Sequence, residues 1–254
     1  MTLYDTIIIG GGVAGLEAAQ MLGRARRTVL VIDAETPRNR TAPHMHGVLG
    51  HDGTPPLDLL SRGREEVEHY GVTVTTGTVD TVDTVDSIDQ AAETATLKVT
   101  CTDGTELLTR SVLVTSGIED ELPEIPGLAE HWGTSVFQCP YCHGWEVRDS
   151  RIGVLATSPM SFHHAMLVRQ WTDSLTVFTT DASQIDELDY DTRARFTARG
   201  VSPWSPPLSP RRSPNPVPQS QPSVACARKT ARPMSWTPWP CHRPRAHATG
   251  SSPG

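Results

Sequence analysis

The sequence predicts an α/β fold built from two strand–helix–strand units, and three observations support this prediction. A glycine-rich turn at residues 10–15 follows an apolar run and precedes a helical stretch. Residues 71–115 show the period of two that is typical of strands, and a second apolar run begins at Ile152. We therefore expect two Rossmann-like, three-layer nucleotide-binding units, a small antiparallel β insertion in the first, and a disordered C-terminal tail.

The first unit is predicted from two buried strands with a helix between them. Residues 6–9 and 28–32 are apolar runs of strand length, and residues 13–24 read as a helix. A glycine turn between the first strand and the helix of such a unit is the context that a dinucleotide-binding fingerprint requires. This context makes the glycine signal specific.

Four residues of this unit are predicted to hold a dinucleotide. Gly10 and Gly12 let the backbone turn sharply and approach a pyrophosphate, and Gly15 lets the helix pack closely against the strand. Asp33 lies about 20 residues beyond the glycines, where an acid accepts hydrogen bonds from a ribose hydroxyl. The alternative for Asp33 is a strand-end aspartate without a ligand.

A polar loop over residues 37–53 follows, and it contains Arg38, Asn39, His46 and Gly47. No carboxylate or cysteine stands at metal-ligand spacing from its histidines, so we expect the loop to lie over a cofactor rather than to bind a metal. A helix is expected over residues 57–70.

The antiparallel insertion is predicted over residues 71–115. Asp103 and Gly104 are a hairpin signal between two of its strands, and Cys101 is expected to be a packing thiol. Residues 112–114 read as a further buried strand, which ends at Thr115.

A cysteine pair at Cys139 and Cys142 is the second chemical signal. Two residues between cysteines place their sulfurs within reach of a reversible disulfide. Residues 152–155, 161–171 and 175–178 then read as the strand, helix and strand of the second unit. Together the two signals predict a nucleotide cofactor that exchanges electrons with a thiol pair.

Three other functions use the same cysteines. Cys139, Cys142 and His143 also match the c-type haem attachment signature, but that reading requires export. Glutaredoxins contain the same Cys-Pro-Tyr-Cys motif, but in them it lies near the start of a short domain. A zinc site would need two further ligands, and Cys226 and Cys241 stand at unsuitable spacing in the tail.

Composition separates the last 54 residues from the rest of the chain. The net charge is −7, yet residues 201–254 contain seven basic residues, no acidic residue and 13 of the 21 prolines. Such a segment is expected to be disordered. An out-of-frame translation is favoured over a natural basic linker or a nucleic-acid-binding arm. The predicted domains are residues 1–117, 118–200 and this tail.

No signal peptide or membrane-spanning run is recognisable, so we expect a cytoplasmic protein with no membrane partner. Nucleic acid is not expected as a partner either, because the basic tail reads as accidental.

Residues 4–190 resemble the thioredoxin-reductase-like flavoproteins, a family of FAD-dependent pyridine nucleotide-disulfide oxidoreductases. Two dinucleotide-binding units, with a Cys-x-x-Cys pair in the second, are the plan of that family. The motif Cys-Pro-Tyr-Cys-His-Gly at residues 139–144 most resembles that of the branch that includes gliotoxin-type dithiol oxidases. The resemblance implies FAD, a thioredoxin-like protein or a small-molecule dithiol as the thiol partner, and a homodimer.

The resemblance also implies roles for individual residues. Cys139 would be the exchange thiol and Cys142 the flavin-proximal one, and His143 would act as a base, steady a thiolate or only cap its helix. No metal ligand is implied. The implied cofactor-binding residues are Gly10, Gly12, Ala14, Gly15, Asp33, Arg38, Asn39, His46, Gly47, Thr115 and Gly117.

Two features depart from the family pattern. Residues 156–161 hold no glycine where a second fingerprint would be, and no basic cluster follows the next strand, so the sequence argues against an NADPH site. No aspartate follows Asp191, so the Gly-Asp pair that completes the family's flavin domain is missing. The chain is therefore expected to be C-terminally truncated, with an incomplete flavin domain.

Together with the resemblance, these signals predict an FAD-dependent dithiol–disulfide oxidoreductase. The first alternative is an O2-linked oxidase of small-molecule dithiols that works without NADPH, and the second is a truncated, non-catalytic remnant.

Overall fold

The computed structural model of the protein describes residues 2–85, 96–179 and 193–196, and the backbone of three short strands at 202–204, 223–226 and 231–232. Within the described residues, the first unit contains two helices and six strands. They are β1 (Leu3–Ile9), α1 (Val13–Arg24), β2 (Val29–Asp33), α2 (Pro56–His69), β3 (Thr73–Thr76), β4 (Val79–Val85), β5 (Thr96–Cys101) and β6 (Glu106–Val114).

The strands of the first unit form one sheet in the order β3-β2-β1-β6-β5-β4. Residues 7–9 of β1 and 29–32 of β2 are buried on both faces, which explains why these runs are wholly hydrophobic. On one face Ile8 packs with Leu16 of α1 and Val67 of α2. On the other face Ile7 packs with Val99 of β5. The predicted three-layer arrangement is confirmed, with β4 and β5 folding back as the third layer.

The antiparallel insertion is joined to the parallel sheet through β6. This strand pairs antiparallel with β5 and parallel with β1, so the two apolar runs read from the sequence are one strand. The hairpin at Gly104 is confirmed, with φ at +84°. The expectation that residues 112–114 are buried is wrong for Leu113 and Val114, which are 38% and 46% exposed. The described residues leave that end of β6 uncovered.

The second unit is smaller, and its larger sheet is wholly parallel. That sheet has the order β11 (Ser202–Trp204), β10 (Ser174–Thr179), β9 (Arg151–Ala156), β12 (Ser223–Cys226) and β8 (Val136–Phe137). Its core joins Phe137, Val154, Phe162 and Val177. The elements before the tail are β7 (Glu119–Asp120), β8 (Val136–Phe137), α3 (Pro140–His143), β9 (Arg151–Ala156), α4 (Met160–Val168) and β10 (Ser174–Thr179).

Three short segments of the tail are strands, which the composition did not predict. They are β11 (Ser202–Trp204), β12 (Ser223–Cys226) and β13 (Ala231–Arg232). β12 lies between β9 and β8, and β13 pairs antiparallel with β7. Unpaired strand edges offer backbone donors and acceptors to any extended segment, whatever its composition. The rest of the tail, including Cys241, lies outside the described residues. The predicted disorder and the predicted frame error also concern residues outside that description.

Among the described residues, no helix has the length and apolar character needed to span a bilayer.

Candidate active site

The glycine turn is held by close contacts, which leave no room for a side chain at Gly10 or at Gly15. Gly10 has φ at +103°, and a Cβ atom there would lie 2.6 Å from the carbonyl oxygen of Thr115. A Cβ atom at Gly15 would lie 2.7 Å from Oγ1 of Thr115 and would overlap the carbonyl oxygen of Gly10. Gly12 differs, because no atom lies within 4 Å of the place where its Cβ would be. The backbone at Gly12 is therefore open to a ligand.

Thr115 fixes this turn from the end of β6. Its hydroxyl lies 2.8 Å from the carbonyl oxygen of Gly10 and 3.0 Å from that of Ile9, so it donates to the end of β1. The resemblance predicts Thr115 as a flavin-lining residue. In the structure it also holds the backbone that would approach the pyrophosphate.

A cavity of about 240 Å³ lies beside the turn. Four of the predicted residues, Ala14, Gly15, His46 and Gly47, do not line it; Gly15 acts through the close packing of α1. Seven of the predicted cofactor residues line it: Gly10, Gly12, Asp33, Arg38, Asn39, Thr115 and Gly117.

Asp33 has a partner, Arg64, that was not predicted from the sequence. Nη2 of Arg64, from α2, donates to Oδ2 of Asp33 at 2.6 Å, and its Nη1 donates to Oε1 of Glu35 at 2.9 Å. Burial lowers the pKa of Arg64, but its hydrogen bonds to Glu35 and Asp33 outweigh burial and hold the pKa above its ordinary value. Arg64 lies one helical turn from Leu60 and Val67, both of which are buried. A charged residue on this apolar face of α2 is the sequence feature that could have indicated a specific partner for Arg64.

Arg64 therefore orients the carboxylate that is predicted to bind ribose, and its loss has a measurable consequence. We expect Arg64→Met to weaken FAD binding about tenfold, because Asp33 loses the donor that fixes its rotamer. Arg62→Met is the matched control, since Arg62 is exposed on the same helix. Titrating the variants with FAD and with FMN tests this. An equal loss for both flavins, or none for FAD, would exclude a role at the adenosine ribose.

The cysteine pair forms a disulfide in the second unit. Cys139 and Cys142 are joined with their Cα atoms 5.3 Å apart, and Pro140 occupies the first position of α3. The amides of Cys142 and His143 both donate to the carbonyl oxygen of Cys139 at 3.2 Å. Cys142 is exposed and Cys139 is partly buried. Exposure alone therefore does not single out Cys139 as the exchange thiol.

The disulfide helix rests on an aromatic residue. A Cβ atom at Gly144 would lie 2.7 Å from the ring of Trp171, so the backbone after α3 packs directly on that ring. Tyr141, which is 67% exposed, meets the same ring edge-on at 5.3 Å. The disulfide is thus held on a packed support while its outer face stays accessible.

His143 is half-buried beside the disulfide. Its ring stacks on Phe137 with the centroids 5.4 Å apart, and its Nδ1 atom is buried without a hydrogen-bond partner among the described residues. Burial lowers the pKa of His143, and His46 adds to that effect, while Glu146 and a hydrogen bond with the Gly133 backbone oppose it. A lowered pKa means that the ring is neutral at neutral pH and can accept a proton.

Two residues of the loop over the cavity reach the disulfide-bearing segment. Arg38 donates to Asp120 at 2.7 and 3.1 Å and to Gln138 at 3.2 Å, and Gln138 directly precedes Cys139. His46 lies 3.5 Å from a carboxylate oxygen of Glu146. These contacts could not be predicted from the sequence, because no local pattern links positions about 100 residues apart. In the described part of the chain, no cluster of three potential ligands could hold a metal ion.

The turn after β9 has a different arrangement from the first glycine turn. Oγ of Ser161, which is fully buried, accepts hydrogen bonds from the amides of Thr157 at 3.0 Å and Ser158 at 3.2 Å. In a dinucleotide site such amides would face the pyrophosphate. In this turn the Ser161 hydroxyl occupies two of the amides that would face a second dinucleotide.

The residues of the first unit do fit one. Gly12 leaves the backbone open beside the cavity, and Asp33 stands at the end of β2 to meet a ribose. The fold and the site together define a class of protein: a dinucleotide-binding unit joined to a segment that carries a redox-active disulfide.

The family follows from comparison with known proteins. The family model for pyridine nucleotide-disulphide oxidoreductases matches residues 4–180, which is more than half of the chain. The chain therefore belongs to the pyridine nucleotide-disulphide oxidoreductase family, and it is thioredoxin-reductase-like, as its relatives show.

Two fungal relatives illustrate the likeness. The chain is 33% identical to thioredoxin reductase aclD of Aspergillus oryzae, with 72% of this chain and 59% of that protein aligned. It is 31% identical to thioredoxin reductase sirT of Leptosphaeria maculans, with 70% and 56% aligned. The chain spans between 37% and 59% of the length of the first curated relatives it matches.

Solved structures agree with the fold. The crystal structure of HlmI superposes with a TM-score of 0.79 at 36% identity, covering 89% of this chain and 72% of that one. An oxidoreductase from Agrobacterium tumefaciens superposes with a TM-score of 0.70 at 40% identity, covering 80% and 65%.

Proposed function

We propose that this chain is an FAD-dependent dithiol–disulfide oxidoreductase that exchanges electrons between flavin and the Cys139–Cys142 disulfide. One observation carries the proposal most directly. Arg38 lines the dinucleotide cavity and also binds Gln138, the neighbour of Cys139. Because the Arg38 side chain contacts both the cavity and the residue before Cys139, it supports a single site in which the disulfide lies near the cofactor.

Bound FAD would supply a carrier that takes up or gives up an electron pair. The chain's own residues would hold it through the open backbone at Gly12, the Asp33 carboxylate fixed by Arg64, and the loop from Arg38 to Asn39. Family membership supports the choice of a flavin dinucleotide at this site.

The thiol partner would be a thioredoxin-like protein or a small-molecule dithiol. A partner thiolate attacks one sulfur of the disulfide and forms a mixed disulfide, which its second thiol resolves. The neutral His143 ring would take a proton released in this exchange, because its lowered pKa leaves it unprotonated at neutral pH. The exposed face of α3, with Tyr141 and Cys142, is where the partner would approach.

A second candidate function is an O2-linked dithiol oxidase that works without NADPH. The hydrogen bonds of Ser161 to the turn after β9 favour it, because they occupy the amides that a pyrophosphate would need. In this version the dithiol reduces the site and molecular oxygen takes the electrons.

The deciding experiment measures the reduction of flavin in the purified full chain reconstituted with FAD. Under anaerobic conditions we expect a dithiol such as dithiothreitol to bleach the flavin absorbance, and NADPH to bleach it no faster than it bleaches free FAD. Readmitted oxygen should restore the colour. Rapid bleaching by NADPH would exclude the oxidase version, and a bound flavin that dithiols cannot reduce would contradict both versions. A chain that retains no FAD would instead support a non-catalytic remnant.

A further inference from the structure

One loop contacts the disulfide-bearing segment on both sides of the cysteine pair. Nη2 of Arg38 donates to Oε1 of Gln138 at 3.2 Å, and Gln138 is the residue before the first cysteine. Nε2 of His46 lies 3.5 Å from Oε1 of Glu146, which is four residues after the second cysteine. The short disulfide helix therefore lies between two contacts with the loop over residues 37–53.

The contact before the cysteines is the more firmly held of the two, because a buried carboxylate fixes the guanidinium. Nε and Nη2 of Arg38 donate to the two oxygens of Asp120 at 2.7 and 3.1 Å, and the side chain of Asp120 is 7% exposed. A two-point pair of this kind fixes the plane of the guanidinium as well as its position. The Arg38 side chain is thus held where Nη2 reaches Gln138, whereas the contact with Glu146 is longer.

The same loop lines the dinucleotide cavity and is closed by its own backbone. Arg38, Asn39 and Met45 line the cavity. The amide of Met45 donates to the carbonyl oxygen of Thr54 at 2.9 Å, and the amide of Gly53 donates to that of Met45 at 2.9 Å. Because these hydrogen bonds tie the loop together, a ligand that fixes its cavity side also restricts the side chains that contact the disulfide segment.

We propose that residues 37–53 form a clamp on the disulfide segment, and that Arg38 and Gln138 are its positioning residues. Arg38 acts on the cysteines through Gln138, and it holds the residue before them beside the cavity. Binding at the cavity and order in the disulfide segment are then coupled, and such a coupling is reciprocal. This inference rests on the proposed function, because the clamp serves the same disulfide site.

Hydrogen exchange of the purified, oxidised full chain without FAD, measured by mass spectrometry, tests the clamp itself. The amides of Cys142 and His143 donate to the carbonyl oxygen of Cys139, so their exchange reports how firmly the start of the disulfide helix is held. Gln138→Leu removes the acceptor and keeps a similar volume. We expect exchange in peptides covering residues 138–146 to become about fivefold faster, with a Tm close to that of the wild type.

Two further variants separate the hydrogen bond from a general effect on packing. Gln138→Glu keeps an oxygen that accepts from Arg38 and should restore slow exchange. Gln170→Leu changes an exposed glutamine elsewhere in the second unit and should leave the segment unchanged. Wild-type exchange in Gln138→Leu, or equally fast exchange in Gln138→Glu, would overturn the proposal. If Gln138→Leu does not fold, Asp120→Asn gives the same test, because it removes the charge that fixes Arg38 and keeps the shape of the side chain.

Addition of FAD tests the coupling between the cavity and the disulfide segment. In the wild type, FAD should slow exchange in residues 138–146 about tenfold and should also protect the glycine turn at residues 10–15. In Gln138→Leu, FAD should still protect the turn, while its effect on the disulfide segment falls to about twofold. Equal protection of the segment in the two proteins would contradict the coupling.

The two measurements distinguish this inference from the proposed function. A chain that binds no FAD would defeat the proposed function, while exchange in the FAD-free chain would still decide whether the clamp exists. A chain that exchanges electrons between flavin and disulfide, but whose segment is insensitive to Gln138→Leu, would keep the proposed function and remove only the clamp.

Discussion

Replacing Cys139 or Cys142 with serine is expected to abolish turnover with a dithiol while leaving bound FAD in place. A hydroxyl cannot form the disulfide that receives the electrons, so each single variant should lose at least about a thousandfold in kcat. The glycine turn and the cavity lie in the first unit, so flavin content should stay unchanged. Steady-state dithiol oxidation and the visible absorbance of the purified variants check both parts.

Cys101→Ser is the matched control for this prediction. Cys101 is buried in β5, and burial raises the pKa of its thiol, so it should not take part in exchange. Dithiol turnover that survives in Cys139→Ser or Cys142→Ser would eliminate the disulfide mechanism. Mixing each reduced variant with the oxidised, disulfide form of the dithiol also tests which sulfur takes part in exchange. The remaining exchange thiolate attacks that disulfide, forms a mixed disulfide and releases the partner's other sulfur as a thiol.

Two glycines of the first turn are expected to separate folding from cofactor binding. Gly15→Ala should destabilise the protein by about 3 kcal/mol, because the added methyl group overlaps the carbonyl oxygen of Gly10 and crowds Thr115. Gly12→Ala meets no atom within 4 Å and should leave the free energy of unfolding nearly unchanged. It should nevertheless weaken FAD binding about a hundredfold, since the methyl group fills the approach to the pyrophosphate.

Thermal unfolding without FAD, followed by FAD titration, measures the two effects separately. The pattern expected is a lowered Tm for Gly15→Ala, and a normal Tm with weak binding for Gly12→Ala. If Gly12→Ala bound FAD as tightly as the wild type, the open space in front of α1 would not be the phosphate site.

The elements of the first unit were largely predictable because their signals are local. The apolar runs around the glycine turn predicted β1, α1 and β2, and the structure has α1 at Val13–Arg24. The single strand β6 was not predictable in the same way. Residues 106–109 of β6 pair antiparallel with β5, and residues 108–114 pair parallel with β1. The sequence shows only two separate apolar runs in this region. Strand pairing is a property of the partners, which a one-dimensional pattern does not contain.

The same distinction between local signals and long-range contacts applies to the residues of the candidate site. Residue types that carry chemistry, such as the glycines, Asp33 and the cysteine pair, are recognisable from spacing. The residues that orient them are not: Arg64 reaches Asp33 from another element 31 positions away, and Arg38 reaches Gln138 across 100 positions. Ser161 is similar, because a serine at the start of a helix does not by itself indicate which amides its hydroxyl accepts from.

The α/β class could be inferred from the sequence, as could the glycine fingerprint and the Cys139–Cys142 pair, because backbone sterics and the reach of a short loop are local constraints. The tertiary structure was needed to see that Arg38 and His46 connect the cavity loop to the disulfide segment, and that tail segments pair with strand edges. Those contacts arise when packing of the two cores brings distant side chains within hydrogen-bond distance. No neighbouring residue along the chain encodes that distance.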